Sequence, residues 1–379
     1  MRIVYCIHSV ANPGGMERVL LNKVGWIRRE RPDWEVTVVT TDQGGRTPFY
    51  PLPEGVRFVD LDVNYSEGNA LSPLGKIRDY LRKRKVHRRR LEKLLQEVKA
   101  DLVVTLYPSE ASFVPDIKDG SRKVLEFHYS KNFRLQYARN GVLGAADRWR
   151  TRADERLMRK FDRFVVLTHE DAEDWAGFDN LSVIPNAAMR LSDRWSDCSA
   201  KRVIAVGRLD YQKGFDRLID AWSLVMRKHP ELRDWRLDIF GQGEWREMLE
   251  RKIADAGLGA NAAVNAPTSN IAGEYCGSSL LVMSSNYEGF PMVMIEGMGA
   301  GLPVVSFDFK CGPRDIIEDG VNGLLVGNGD VEGLAEAMVR VMADGELRRR
   351  MGLEARKVTE RFSEEAVMKM WMDLFEGLR

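Results

Sequence analysis

Glu288 and Glu296 stand eight positions apart in SSNYEGFPMVMIEGMGAGLPVVSF, residues 284–307, with Gly289, Phe290 and Pro291 directly after the first. Carboxylates so placed can accept hydrogen bonds from a ribose diol or from sugar hydroxyls, as acidic residues do in dinucleotide sites. Free N–H groups of Phe290, Met292 and Val293, with Pro291 between them lacking one, would face an anion at a helix start. In VGRLDYQKGFD, residues 206–216, Arg208 and Lys213 share one loop. Arginine forks onto phosphate oxygens and lysine adds a compact charge, so the pair suits a diphosphate. In SVANPGGMER, residues 9–18, Gly14 and Gly15 let the backbone approach an anion, although such a turn also serves as a plain connection.

Each of these stretches lies between a strand-like and a helix-like segment. RIVYCI (2–7) precedes the double glycine, KRVIAVGRL (201–209) carries Arg208, and LLVMSS (280–285) leads into Glu288. Gly301 and Pro303 stop the helix that carries Glu296. Strand and helix patterns alternate through residues 1–187 and restart near 201. That alternation predicts an α/β protein of two parallel sheets, each of about six strands covered by helices. The polar stretch 186–201 marks the boundary, giving domains 1–187 and 188–361 and a final helix, 362–379. Met368, Trp371, Met372, Leu374 and Phe375 make that helix broadly apolar. It either packs on its own domain or crosses back to the first one.

A chain of 379 residues exceeds one ordinary core. Its net charge of +1 gives no overall argument for nucleic acid. The four scattered cysteines show no metal or disulfide spacing, which points to a reducing compartment. No apolar run reaches the roughly 18–20 residues needed to span a bilayer. A cytoplasmic location is expected.

VGRLDYQKGFD, SNYEGFPMVMIEGMGAGLPVVSFD and CGPRDIIEDGVNGLLV together resemble the retaining glycosyltransferases of GT-B family 4. The resemblance covers nearly the whole chain and is strongest over 203–326. It implies the GT-B fold, two Rossmann-like domains facing a cleft, with a nucleotide-sugar donor held mainly by the second. Arg208 and Lys213 would bind the diphosphate, and Glu296 the ribose. Glu288 would contact the transferred sugar, and Gly15 would bring an N–H across the cleft. His128, in LEFHYS, matches a family histidine beside the donor sugar. The family needs no metal or cofactor and keeps the anomeric configuration. Ala187 replaces a common hinge glycine. NAPTSN (265–270) departs from the usual turn near the nucleobase, so the base cannot be read there. Asp60-Leu61-Asp62 is read as a strand end and not as a metal-binding DxD element.

Residues 76–93 hold ten Lys or Arg against two acids. A solvated helix face is one reading. Peripheral contact with an anionic membrane through Arg82, Lys83, Arg84, Lys85, Arg88 and Arg89 is another. Nucleic acid is disfavoured, since no aromatic platform accompanies the charge. The expected function is transfer of a hexose or N-acetylhexosamine, most simply from a UDP-sugar, to a glycan or lipid-linked glycan of the cell surface. The alternatives are a UDP-sugar epimerase of the same fold and a non-catalytic nucleotide-sugar-binding protein.

Overall fold

A computed structural model of the chain describes residues 1–70, 72–108, 110–137, 139–189 and 191–379. Arg190, inside the expected linker, lies outside the described residues. The first half holds seven strands: β1 (Arg2–Cys6), β2 (Glu35–Thr40), β3 (Arg57–Asp60), β4 (Leu102–Leu106), β5 (Arg122–Glu126), β6 (Arg163–Val166) and β7 (Leu181–Val183). The second holds six: β8 (Arg202–Val206), β9 (Arg236–Phe240), β10 (Ala262–Asn265), β11 (Leu280–Met283), β12 (Val304–Asp308) and β13 (Gly323–Gly327). The first sheet therefore has one strand more than the pattern suggested.

All strand pairs are parallel. The orders are β3-β2-β1-β4-β5-β6-β7 and β10-β9-β8-β11-β12-β13. Continuous apolar runs such as LVVTL in β4 and LLVM in β11 are buried along their whole length, as sheets covered on both faces require. Alternation along β1 splits the first half's core. Ile3 and Tyr5 join one cluster and Val4 and Cys6 the other, on opposite faces of the sheet.

Both sheets reverse strand order beside their first strand, between β1 and β4 and between β8 and β11. Loops at the carboxyl ends of strands on either side of such a reversal diverge and leave a crevice. The loop after β1 carries Gly14 and Gly15, that after β8 carries Arg208 and Lys213, and that after β11 carries Glu288. His128 lies just past β5, the neighbour of β4. Within each sheet, topology thus brings the candidate loops to a crevice.

The helix Glu364–Glu376 crosses back to the first half. Val367, Met368, Trp371, Met372 and Phe375 are buried with Ile3, Tyr5, Leu20 and Val24. Two ion pairs flank it, Arg29 with Glu364 at 2.8 Å and Arg31 with Glu376 at 2.5 Å. Asp60 accepts a hydrogen bond from Thr40, and Asp62 accepts one from the Asn64 amide, so both acids serve the strand end.

The long helix Pro73–Val98 corrects part of the surface-cation expectation. Lys83 is buried: its ammonium bonds to the Asn64 carbonyl and lies 3.2 Å from Asp79. It fastens the helix to the preceding turn and cannot meet a membrane. Arg84 is half-buried and donates to the Ser112 hydroxyl at 3.1 Å. Arg82, Lys85, Arg88 and Arg89 are exposed.

Candidate active site

Lys213 closes the turn Tyr211–Lys213, which Asp210 caps by accepting from the Lys213 N–H. The next residue, Gly214, has a φ of 57°, and a Cβ there would meet the Ser284 carbonyl at 2.3 Å. Glycine is the residue that allows the β8 and β11 loops to close this tightly. Lys213 then reaches Glu288, with Nζ 2.6 Å from Oε1. The Ser285 hydroxyl donates to the same oxygen at 2.8 Å, and the Gln212 amide donates to Oε2 at 2.9 Å. Glu288 is pinned in the backbone as well. Its N–H donates to the Lys310 carbonyl at 2.8 Å, and its carbonyl accepts from the Cys311 N–H at 3.0 Å.

Arg208 keeps its head toward solvent, with its side chain 68% exposed. It donates to Gln212 Oε1 at 2.6 Å and lies 3.4 Å from Asp210. Arg208, Gln212, Glu288 and Lys213 therefore form one polar chain, with an open cation at one end and a buried carboxylate in the middle.

Opposite stands His128, a half-buried residue whose side chain is largely covered, with Nε2 3.2 Å from Glu126 Oε1. Gly289 abuts its backbone: a Cβ on Gly289 would lie 2.1 Å from the His128 carbonyl oxygen. Phe290 is buried against Phe362, with ring centroids 5.6 Å apart. Pro291 stands at the N-cap of the helix Met292–Gly299. The Met292 N–H is taken by the Phe290 carbonyl at 2.9 Å, so it is not free for phosphate as the sequence suggested. Val293 packs on the second half's core.

Glu296 occupies a separate part of the crevice. With Gly15, Arg18, Asn22 and Met292 it lines a cavity of about 600 Å³ that runs toward the crossing helix. Arg18 Nη1 lies 3.6 Å from Glu296 Oε1, and the Tyr275 hydroxyl donates to Oε2 at 3.4 Å. Burial pushes the Glu296 carboxyl up, and Arg18, Tyr275 and Lys213 offset this only in part. The Gly14 turn is covered by a carboxylate of its own. A Cβ on Gly14 would lie 2.0 Å from Glu17 Oε2, and burial pushes that carboxyl up too.

The two halves also clasp one another directly. Asp315 accepts from the His169 and Glu170 N–H groups at 2.7 and 3.1 Å. Glu170 accepts in return from the Gly312 N–H at 3.0 Å. Each half thus caps an exposed backbone end of the other.

Several of these residues escaped the sequence reading. Gln212 and Ser285 lie inside motifs already singled out. Glu126 precedes His128 by two positions at a strand end, which places both on one face. Lys23 shares a helical stripe with Leu20, Val24 and Ile27, and a lysine at such a position signals a buried partner.

The family model "Glycosyl transferases group 1" matches residues 197–358, and the model "Glycosyltransferase Family 4" matches residues 13–188. The chain belongs to the family 4 glycosyltransferases. It is 27% identical to the amylovoran biosynthesis glycosyltransferase AmsD of Erwinia amylovora, over 98% of this chain and 99% of that one. It is also 27% identical to an uncharacterized glycosyltransferase of Haemophilus influenzae, over 98% of both chains. Identity to the exopolysaccharide phosphotransferase SCO2592 of Streptomyces coelicolor is 30%, over 76% of this chain but only 30% of that protein. Among solved structures, the sucrose-phosphate synthase of Thermosynechococcus elongatus superposes with a TM-score of 0.80 at 18% identity, covering 100% of this chain and 98% of that one. Staphylococcus aureus TarM superposes with a TM-score of 0.77 at 17% identity, covering 99% and 98%. The glycosyltransferase therefore has the GT-B fold.

Proposed function

We propose that this glycosyltransferase moves a hexose or N-acetylhexosamine from a UDP-sugar, with retention, onto a glycan or lipid-linked glycan in cell-surface polysaccharide synthesis. The Lys213–Glu288 contact of 2.6 Å carries the reading. It joins the cation suited to the leaving diphosphate to the carboxylate suited to the sugar, within one buried site facing His128. Fixed charges and backbone dipoles in such a crevice stabilise the departing diphosphate without reorganising during reaction. Arg208 and Lys213 supply the positive charge that a metal would otherwise bring. AmsD is named for amylovoran synthesis, and a TarM variant was solved with α-GlcNAc-glycerol and UDP. Those names support a surface glycan product and a uridine nucleotide.

Glu288 positions the sugar. The acceptor hydroxyl attacks from the face that the diphosphate leaves, and a departing phosphate oxygen takes its proton. The test is a panel of UDP-, GDP- and ADP-sugars read by nucleotide release, with the product anomer assigned by NMR and the assay repeated in EDTA. Retained configuration and EDTA resistance are expected. Free epimerised nucleotide-sugar would identify an epimerase, and UDP binding without turnover of any donor would identify a binding protein.

Among the described residues no helix is long and apolar enough to cross a membrane. We place the enzyme peripherally on the inner face of the cytoplasmic membrane. Arg82, Lys85, Arg88 and Arg89 are exposed on a helix whose Leu74, Ile77 and Leu81 are also exposed. Basic and apolar side chains on one helix suit an anionic bilayer surface. Co-sedimentation with phosphatidylglycerol vesicles at low salt tests this, and loss of binding in Arg82→Glu/Arg89→Glu is expected.

A further inference from the structure

Behind His128 lies a charged cluster that donor binding does not itself require. Glu126 is fully buried at the end of β5, and its Oε1 accepts a hydrogen bond from the Lys23 ammonium. His128 Nε2 lies 3.2 Å from that same oxygen. Lys23, also buried, stands 3.6 Å above the ring of Trp371 on the crossing helix and 6.0 Å from the ring of Tyr5. The chain runs from the C-terminal helix, through the first sheet, to the imidazole at the crevice.

We infer that Glu126 is the positioning residue for His128, and that Lys23, held under Trp371, is the counter-charge that keeps Glu126 ionised for this task. A buried carboxylate tends to take up a proton. Here burial is outweighed by Lys23 and His128, and the Glu126 carboxyl is held down at about 2. An ionised Glu126 at 3.2 Å favours the proton on Nε2 by its charge, not by an aligned hydrogen bond, leaving the other nitrogen for the crevice. Among the described residues, Glu17, at the double-glycine turn, interacts electrostatically with His128, and Tyr5 with Glu126. The inference rests on His128 facing the donor sugar, as the proposed function has it.

The test compares wild type, Glu126→Gln and the double variant Lys23→Met/Glu126→Gln. Readouts are kcat, UDP affinity by calorimetry, and the ¹⁵N NMR shifts that report the tautomer of the His128 imidazole. In Glu126→Gln, kcat should fall about a hundredfold, the effect of a misplaced reacting group. UDP affinity should stay within about twofold, because the cluster touches no phosphate ligand. The ¹⁵N shifts of His128 should report a change in which ring nitrogen carries the proton once the carboxylate is gone. Should the single variant fail to fold with an unpaired buried lysine, the double variant removes that charge and takes its place. A double variant that folds but stays slow supports positioning. Wild-type kcat in either variant, or an unchanged His128 tautomer, overturns it. If the wild type itself turns over no donor, the proposed function fails, while the NMR tautomer comparison still decides whether Glu126 governs His128.

Discussion

Gly289 meets His128 backbone to backbone: a Cβ on Gly289 would fall 2.1 Å from the His128 carbonyl oxygen and 3.2 Å from the Tyr129 Cα. Neither neighbour is a side chain able to swing aside. The loop after β11 and the end of β5 are therefore in contact across the crevice. Gly289→Ala must push the two halves apart by more than an ångström, and displacements of that size can cost about a hundredfold in rate. We expect kcat to drop by that order, with little change in the melting temperature of either half. A near wild-type rate would mean that catalysis does not need this closed contact.

Glu288 neutralises Lys213 at 2.6 Å before any nucleotide arrives. Removing it in Glu288→Ala frees the ammonium for the diphosphate. Transfer should vanish, while UDP binds as well as in wild type or up to about tenfold tighter, a gain of about 1.4 kcal/mol. Weaker UDP binding, measured by calorimetry, would show that Glu288 supports the phosphate site and not the sugar.

Arg18 and Glu296 face each other across the halves at 3.6 Å. Arg18 opposes the rise that burial imposes on the Glu296 carboxyl. In Arg18→Met that rise is larger, so Glu296 takes up its proton at higher pH. A protonated carboxyl is the poorer acceptor for ribose hydroxyls. UDP affinity should thus begin to fall at a higher pH in the variant as the solution is acidified. Superimposable affinity profiles from pH 5 to pH 8 would remove Arg18 from this role.

Glu110 is buried, its carboxylate oxygens have no hydrogen-bond partner among the described residues, and burial pushes its carboxyl up to about 8. The folded protein then keeps a proton that the unfolded chain gives up near its ordinary value of about 4.3. Stability contributed here is present below that value and declines as pH rises toward about 8. Glu110→Gln carries no such charge. It should match wild type near pH 4.5 and exceed it by at least about 1 kcal/mol at pH 9 in urea unfolding, a fraction of the charge-burial cost. Equal pH dependence in both proteins would refute the assignment.

Trp371 is fully buried between the crossing helix and the first half. Trp371→Ala should cost about 3–5 kcal/mol, as large-to-small core changes do. The loss should appear as earlier unfolding of residues 1–187, read by hydrogen exchange. Earlier unfolding of the second half instead would show that the helix belongs energetically to that half.

The class of fold is legible in the sequence, and so are the loops that carry the candidate site. Apolar strands alternating with amphipathic helices require parallel sheets covered on both faces, because no other arrangement buries such runs. Arg208, Lys213, Glu288 and Glu296 were legible because they lie in short local motifs, where spacing fixes position at a strand end. Tertiary structure alone decided which of these residues touch. Lys213 and Glu288 are 75 positions apart, and the pairing of β8 with β11 makes them neighbours, whereas Arg18 and Glu296 belong to different halves and meet because the halves pack together. The basic helix shows the same limit. Lys83 and Arg82 read alike in a run of cations, yet one is buried and the other exposed, because only packing sets which side of a helix faces the core. The final helix was equally ambiguous. Its apolar face demanded a partner, but the partner lies across the chain, in the stripe of Leu20, Val24 and Ile27. Burial of apolar surface specifies that a face must be covered; the topology of the whole chain selects what covers it.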